Sequence, residues 1–480
     1  MRTGESNSYL TVRRSDPITA SDVYRTLLET GRKEDAGKLE SHSEHLVKLL
    51  NIYGKKPFTR LSDARSQLGL ERGEFTSVLE MAASTPVLRL AVTDDVAGRY
   101  WTDTILPLEA KGVFDAVLEN KPTYPSVVGL YPGPTCMFRC HFCIRVTGAK
   151  YGSDNLMPGT GSLIDIIDEA PVDDPNRFYI SGGLEPLTNP NIGKLATHAS
   201  LKGFNIMLYT NLFALTEQTL KRQPGIWNLG AIRTSLYGLS DEEYQQTVGK
   251  SRAFSRVQNN LVQILRMRDK EESNLRLGIS YLILPGRVRR LDSLLSFLRD
   301  IRDASGGTGI DFVSLRQDYS NRPDGKLRHS ERHELIERLG AFDEVVSAEF
   351  PSLYVDYGYA LSSMLLGQDA QLPHIAVSEM RPTAHPQVSV QVDLLGDVYL
   401  YREAGFPGLE GAKRYVCGRV GKDTGLGKVV ETFVRERHEI QPRDGDQYFL
   451  DGFDQVVTAR LNQLSDDLAD GWGEYRGFLR

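Results

Sequence analysis

The stretch CMFRCHFC, residues 136–143, sets Cys136, Cys140 and Cys143 within eight positions of a 480-residue chain whose one other cysteine is Cys417. Four cysteines in so long a chain do not make a disulfide framework. Three thiolates on a short loop can hold three irons of a cubane cluster and leave the fourth iron open to an external ligand. A structural zinc site asks for four closed ligands, and only His141 stands nearby to complete one. His141 directly follows Cys140, so ligation by both at once is strained. Unligated buried thiols are the remaining reading.

The surroundings of the loop set the fold. From about residue 121 short β-rich runs alternate with amphipathic stretches. The strand candidates are Ser126–Tyr131, Arg177–Ser181, Asn205–Thr210, Ala231–Leu236, Leu275–Ile283 and Ile310–Leu315. SLIDIIDEA, QNNLVQILRMRD and LDSLLSFLRDIRD between them carry helical periodicity. Strands separated by crossover helices imply an α/β fold with a parallel sheet, curved into a partial barrel. Such folds carry their chemistry in the loops at the C-terminal strand ends, and the cysteines follow the first strand directly.

Residues 1–120 read as a helical accessory domain, 121–325 as the barrel and 326–480 as a mixed extension. In the first, Ser41 and Glu44 fit a capping box ahead of HLVKLLNIYG. Thr59–Ser84, with Gly69 near its turn, resembles a helix-turn-helix, although two packed helices explain it as well. In the extension, Val388–Gly408 alternates around Gly396-Asp397 as a hairpin does, and the tail from Lys428 to Arg480 reads as largely helical. A net charge of −6 supplies no global basic field for nucleic acid or anionic lipid. The first residues, MRTGESNSYL, lack the apolar run of a signal peptide, and no uninterrupted apolar segment has membrane length, so a cytoplasmic location is expected.

The pattern Cys-x3-Cys-x-aromatic-Cys resembles the signature of the radical S-adenosylmethionine enzymes. The resemblance implies a [4Fe-4S] cluster on Cys136, Cys140 and Cys143, with its open iron chelated by the amino and carboxylate groups of S-adenosylmethionine. Reductive cleavage then yields methionine and a 5′-deoxyadenosyl radical, with a flavodoxin or ferredoxin as one-electron donor. Phe142 takes the position that lines the adenine. SGGLEP, Ser181–Pro186, is similar to the family's glycine-glycine-glutamate-proline motif. Gly182 and Gly183 let the backbone approach a ligand, and Glu185 is placed to accept from the methionine ammonium. Thr210 and Asn211 end the third strand, where the family sets polar groups near the ribose.

Strand parity adds the interior side chains. Arg233 and Ser235 on the fourth strand, Ser280 on the fifth, and Ser314 and Arg316 on the sixth share the inward face. A buried Arg233 is costly unless paired, and a ligand carboxylate would pair it. Leu277, Ile279, Val313 and Leu315 are left to meet the helices.

The helical N-terminal region, CMFRCHFCIRVTGAKY, SGGLEPLTNP and RTSLYG together look like the TDP-4-amino-4,6-dideoxy-D-glucose deaminases of deoxyaminosugar biosynthesis, notably the desosamine branch that serves macrolide antibiotics. That resemblance implies a TDP-sugar substrate that loses hydrogen from C3 and its C4 amine as ammonia, giving a 3-keto-4,6-dideoxy product. For the diphosphate, Arg287, Arg289 and Arg290 in GRVRR after the fifth strand are candidates, against a reading as a solvated basic turn. Arg316-Gln317-Asp318 offers a polar edge to sugar hydroxyls.

Two other readings stand beside this one. Residues 388–417 look like a reduced form of the extension that carries auxiliary clusters in peptide-modifying relatives, yet Cys417 alone holds no second cluster and reads as a small buried hydrophobe. A helix-turn-helix with a redox-sensing cysteine loop would make an iron–sulfur regulator, but a regulator has no need of SGGLEP or an inward Arg233.

Overall fold

The computed structural model describes residues 44–53, 56–83, 101–146, 148–317, 327–365 and 374–475. Ser41 of the expected capping box, the N-terminal MRTGESNSYL, Asp318 and the last five residues lie outside them.

Chain contacts gather the protein into two compact units. In the larger, the α/β expectation is borne out. Strands β1 (Val127–Tyr131), β2 (Phe178–Ile180), β3 (Met207–Thr210), β4 (Ala231–Leu236), β5 (Arg276–Ile283) and β6 (Phe312–Gln317) lie side by side in chain order, all parallel. Crossover helices connect them, among them Leu156–Glu169, Ala253–Lys270 and Leu291–Ala304, where amphipathic periodicity placed them. The sheet then continues past both expected edges. β7 (Tyr354–Asp356) adds a parallel strand beside β6. On the far side β8 (Ser389–Asp393) runs parallel to β1, and β9 (Asp397–Tyr399) and β10 (Val416–Arg419) follow antiparallel. The expected hairpin around Gly396 is therefore present, and its first strand extends the barrel sheet. Gly396 turns it at φ 80°, where a side chain would be strained and its Cβ would run into the Val420 carbonyl.

A parallel sheet covered on both faces buries alternate residues against helices and against its own interior. Leu277, Ile279, Val313 and Leu315 are fully buried, as are Val257, Leu261, Ile264 and Ile301 on the crossover helices. Each such side chain contributes about 1.5–3 kcal/mol by leaving water. The other parity is polar, and the register aligns it in rows. Tyr209 stands beside Arg233, and Ser235, Ser280, Ser314 and Asp356 form one row across β4 to β7.

In the smaller unit the helices Leu61–Leu68 and Arg72–Ala83 meet at Gly69, whose φ of 67° ends the first. Their apolar sides are buried, with Phe75 edge-on to Trp472 at 5.4 Å, and the Asp467 carboxylate accepts from the Leu61 amide at 2.7 Å. The outer side of the second helix carries Glu74 and Glu80, which repel phosphate. The two helices pack through their apolar sides, as the packed-pair reading has it. Among the described residues no helix is long and apolar enough to cross a membrane.

One pH effect follows from the fold. Burial first, then Arg381, depress the imidazole of His385, just before β8, to about 4. Its neutral form therefore favours the native state above the unfolded value of about 6.5, and that stability is lost as pH falls from there through about 4. With partial solvent contact the loss should be about 1–2 kcal/mol. Thermal melts at pH 7 and pH 5 should differ less for His385→Gln than for the parent.

Candidate active site

The loop after β1 begins Pro132-Gly133-Pro134-Thr135, and a close approach shapes it. A Cβ on Gly133 would sit 2.7 Å from the carbonyl oxygens of Leu184 and Glu185 in the loop after β2. The Glu185 amide donates to Thr135 O at 2.9 Å, and the Thr188 hydroxyl donates to the same oxygen at 3.0 Å. The cysteine loop and SGGLEP are thus fastened together at the C-terminal end of the sheet.

The cysteine loop is also held from its far side. Arg139 N donates to Val248 O at 2.8 Å, and His141 N to Thr247 O at 3.2 Å. Arg145 donates to the carbonyls of Cys136 and Phe138, and Tyr151 N to Pro134 O at 2.8 Å. Phe138 is the plug: fully buried, its ring lies 5.6 Å from Phe213, 6.3 Å from Tyr237 and 6.2 Å from Tyr244. Sequence reading missed Phe138, although it is the one aromatic between Cys136 and Cys140. Phe142 is half-buried, with its ring 5.4 Å from that of Tyr237.

Cys136, Cys140 and Cys143 are free and partly buried. Burial pushes all three thiols up, and for Cys140 the neighbouring Cys143 and Cys136 push further. Thiols in this state ionise when a cation balances them, as metal ligation does. Among the described residues no group of three or more His, Cys, Asp or Glu converges as a single ion requires, and His141 is exposed with its ring against Phe142. Three thiols carried on one loop match in number the ligands of a cubane cluster with one open iron.

Glu185 is buried and acts as a clamp. Its carboxylate accepts from Leu187 N at 3.1 Å, from the Thr210 hydroxyl, and from Asn211 N at 2.9 Å. Burial raises its carboxyl above the usual range, and these three hydrogen bonds oppose the rise. The Asn211 carboxamide lies 3.3 Å from Met137 Sδ and 4.0 Å from Cys136 Sγ. Loop, motif and strand end therefore form one hydrogen-bonded body. Gly182 has φ 153°, which favours glycine, whereas a Cβ on Gly183 would lie 2.7 Å from Gly405 O and Phe406 Cα. Gly183 makes room for the loop after β9 as well as for any ligand.

The interior residues form a second group. Arg233 lies 5.3 Å from the centre of the Tyr209 ring and donates to Ser280 Oγ at 3.2 Å. Its Nε is buried with no hydrogen-bond partner among the described residues, and burial lowers its pKa. Ser314 donates to Asp356 Oδ2 at 3.1 Å, and Arg316 forms an ion pair with the same carboxylate. Ser235 shares the row. Asp356 was not legible beforehand because a three-residue strand shows no period.

The basic turn after β5 does not join this group. Arg287 donates to Tyr237 O and Thr247 Oγ1, each at 2.7 Å, Arg289 pairs with Glu334 at 2.7 Å, and Arg290 with Glu243 at 2.6 Å. Arg287 thereby supports the tyrosine on which Phe142 packs, and Arg289 is spent on a surface ion pair. Cys417 on β10 is largely buried, and its thiol is pushed up to about 12 by burial, which leaves it inert.

No protein-family model matches the chain. Over 438 residues, 91% of this chain and 90% of the other, it is 58% identical to the dTDP-4-amino-4,6-dideoxy-D-glucose ammonia-lyase of Streptomyces venezuelae. Among solved structures it resembles anSMEcpe with bound AdoMet at TM-score 0.45 and 13% identity, over 72% of this chain and 98% of that one. Streptococcus suis SuiB bound to S-adenosylmethionine matches at TM-score 0.41 and 12% identity, over 79% of this chain and 75% of that one.

Proposed function

The chain belongs to the family of dTDP-4-amino-4,6-dideoxy-D-glucose ammonia-lyases, and we propose that it removes the C4 amine of that sugar nucleotide as ammonia and leaves a ketone at C3. The observation carrying this reading is the 58% identity over nine-tenths of both chains. The peptide-modifying and regulatory alternatives have no comparable support.

Cys136, Cys140 and Cys143 would hold a [4Fe-4S] cluster, and Gly182, Gly183, Asn211 and the Phe142 ring would face S-adenosylmethionine. When bound, this pair supplies a 5′-deoxyadenosyl radical that takes hydrogen from C3. Glu185 and Thr210 position the Asn211 end of β3, with Glu185 Oε2 accepting one hydrogen bond from the protein among the described residues. Arg233, carrying a buried N–H without a partner, is placed to meet a ligand carboxylate with Ser280. Ser235, Ser314 and Arg316 form the wall offered to the sugar, held by Asp356. What these residues contribute is orientation: they fix which carbon–hydrogen bond lies nearest the radical and keep other donors away.

The test uses substrate deuterated at C3, with S-adenosylmethionine and a reductant. Ammonia, the 3-keto-4,6-dideoxy product and deuterium in 5′-deoxyadenosine are expected together. Deuterium arriving from a C4 or C5 label instead would overturn the reading.

A further inference from the structure

Beside the cysteine loop lies a cationic face that the reaction itself does not use. The Phe213 ring, which follows Asn211, meets Phe138 of the cysteine loop on one side. It also carries two cations, Lys250 Nζ at 4.8 Å and the Arg256 guanidinium at 4.1 Å from its centre. Arg139 adjoins them, because its Cβ lies 3.6 Å from where Gly249 would carry one and its amide donates to Val248 O. Arg252 precedes the helix Ala253–Lys270, whose N-terminus adds partial positive charge to the same face.

Arg139, Arg252 and Arg256 are exposed, and neither they nor the half-buried Lys250 forms a salt bridge among the described residues. Of the nearby acids, Glu217 pairs with Lys221 at 2.6 Å, and Asp241 accepts from Ser255 while also feeling the charge of Arg252. A cleft of about 650 Å³ continues the face, lined by Arg252, Arg256 and Lys221 with Asn259 and Gln263, and Glu217 is the one acid in its lining. On a chain of net charge −6, four cations that form no salt bridge among the described residues gather here and make a local reversal of sign.

We propose that this face, built by Arg139, Lys250, Arg252 and Arg256 around Phe213, is the docking surface for an acidic one-electron carrier protein. The proposal rests on the cluster reading of the cysteine loop, because only a redox centre beneath Phe138 gives an electron carrier reason to dock there. Charge complementarity selects the partner: cationic rims attract carboxylate-rich faces and speed encounter, and the effect weakens with salt. Phe213, which carries two of these cations, adjoins Phe138 of the cysteine loop.

The test compares holoenzyme with its Lys250→Glu, Arg252→Glu, Arg256→Glu triple variant, using flavodoxin as the probe. Flavodoxin binding is measured directly at low and high salt, and ammonia release is followed with flavodoxin or dithionite as reductant. Binding and flavodoxin-supported turnover should fall about 30-fold in the variant, while dithionite-supported turnover holds within about twofold. The milder Arg256→Gln should weaken binding about threefold at an unchanged melting temperature, which separates lost charge from lost fold. Equal flavodoxin binding by parent and triple variant, or salt-insensitive binding by the parent, overturns the docking surface. A parent that gives no turnover even with dithionite counts against the proposed reaction, and the binding measurements still decide the surface.

Discussion

Cys140→Ala, purified without oxygen, should yield a colourless protein devoid of bound iron and activity, where the parent is brown with about four irons per chain. Cys136→Ala and Cys143→Ala should behave alike, since each removes one of only three thiols on the loop. The loop backbone should survive these changes. It is held by Arg145, by the amide bonds to Val248 and Thr247, and by the buried ring of Phe138, none of which involves a sulfur atom. Melting temperature in the absence of iron should accordingly move little. Cys417→Ala is the control: its inert thiol sits on β10, and its loss should cost no more than about 1 kcal/mol and no iron. Iron loss in the Cys417 variant would refute a single cluster on the loop.

How much of this site could be read from the chain depends on how local each feature is. Cys136, Cys140 and Cys143 were legible because ligand spacing on a loop is a local property. SGGLEP was legible because it directly follows a β-rich run. Period-two alternation brought Arg233, Ser235, Ser280, Ser314 and Arg316 to one face, and the register aligns their strands as that parity requires. What escaped was non-local. β8 pairs with β1 across about 260 residues of chain, and no periodicity announces which strand a hairpin will join. Asp356 sits on a strand too short to alternate visibly, yet it gathers both Ser314 and Arg316. Arg287 and Arg289 looked available because charge is visible in a sequence and its partners are not. Thr247 and Glu334, which occupy them, come from other helices. Gly183 illustrates the same limit, since a glycine that would make way for a ligand also makes way for Gly405 and Phe406.

Glu185→Ala should be the most damaging substitution outside the cysteines, and it should act first on the protein without ligands. Removing this buried carboxylate leaves Leu187 N, Asn211 N and the Thr210 hydroxyl without their acceptor. Each buried donor left unmade costs about 1–3 kcal/mol, and because the three share one site their losses combine to about 3–5 kcal/mol rather than the full sum. Glu185→Gln keeps one carbonyl oxygen but turns an amide N–H2 toward another donor, so its loss should be intermediate, about 1–3 kcal/mol. Denaturant melts of the ligand-free protein should therefore rank the parent above Gln and Gln above Ala. The same clamp joins SGGLEP to Asn211, whose carboxamide reaches Met137 and Cys136, so loosening it displaces the surface offered to S-adenosylmethionine. Affinity for S-adenosylmethionine should drop about ten- to a hundredfold, the equivalent of one charge-assisted hydrogen bond. The two readouts separate the roles of the residue. A Glu185→Ala protein that melts with the parent removes the clamp, and one that melts early but binds S-adenosylmethionine as tightly as the parent breaks the link between the clamp and the ligand.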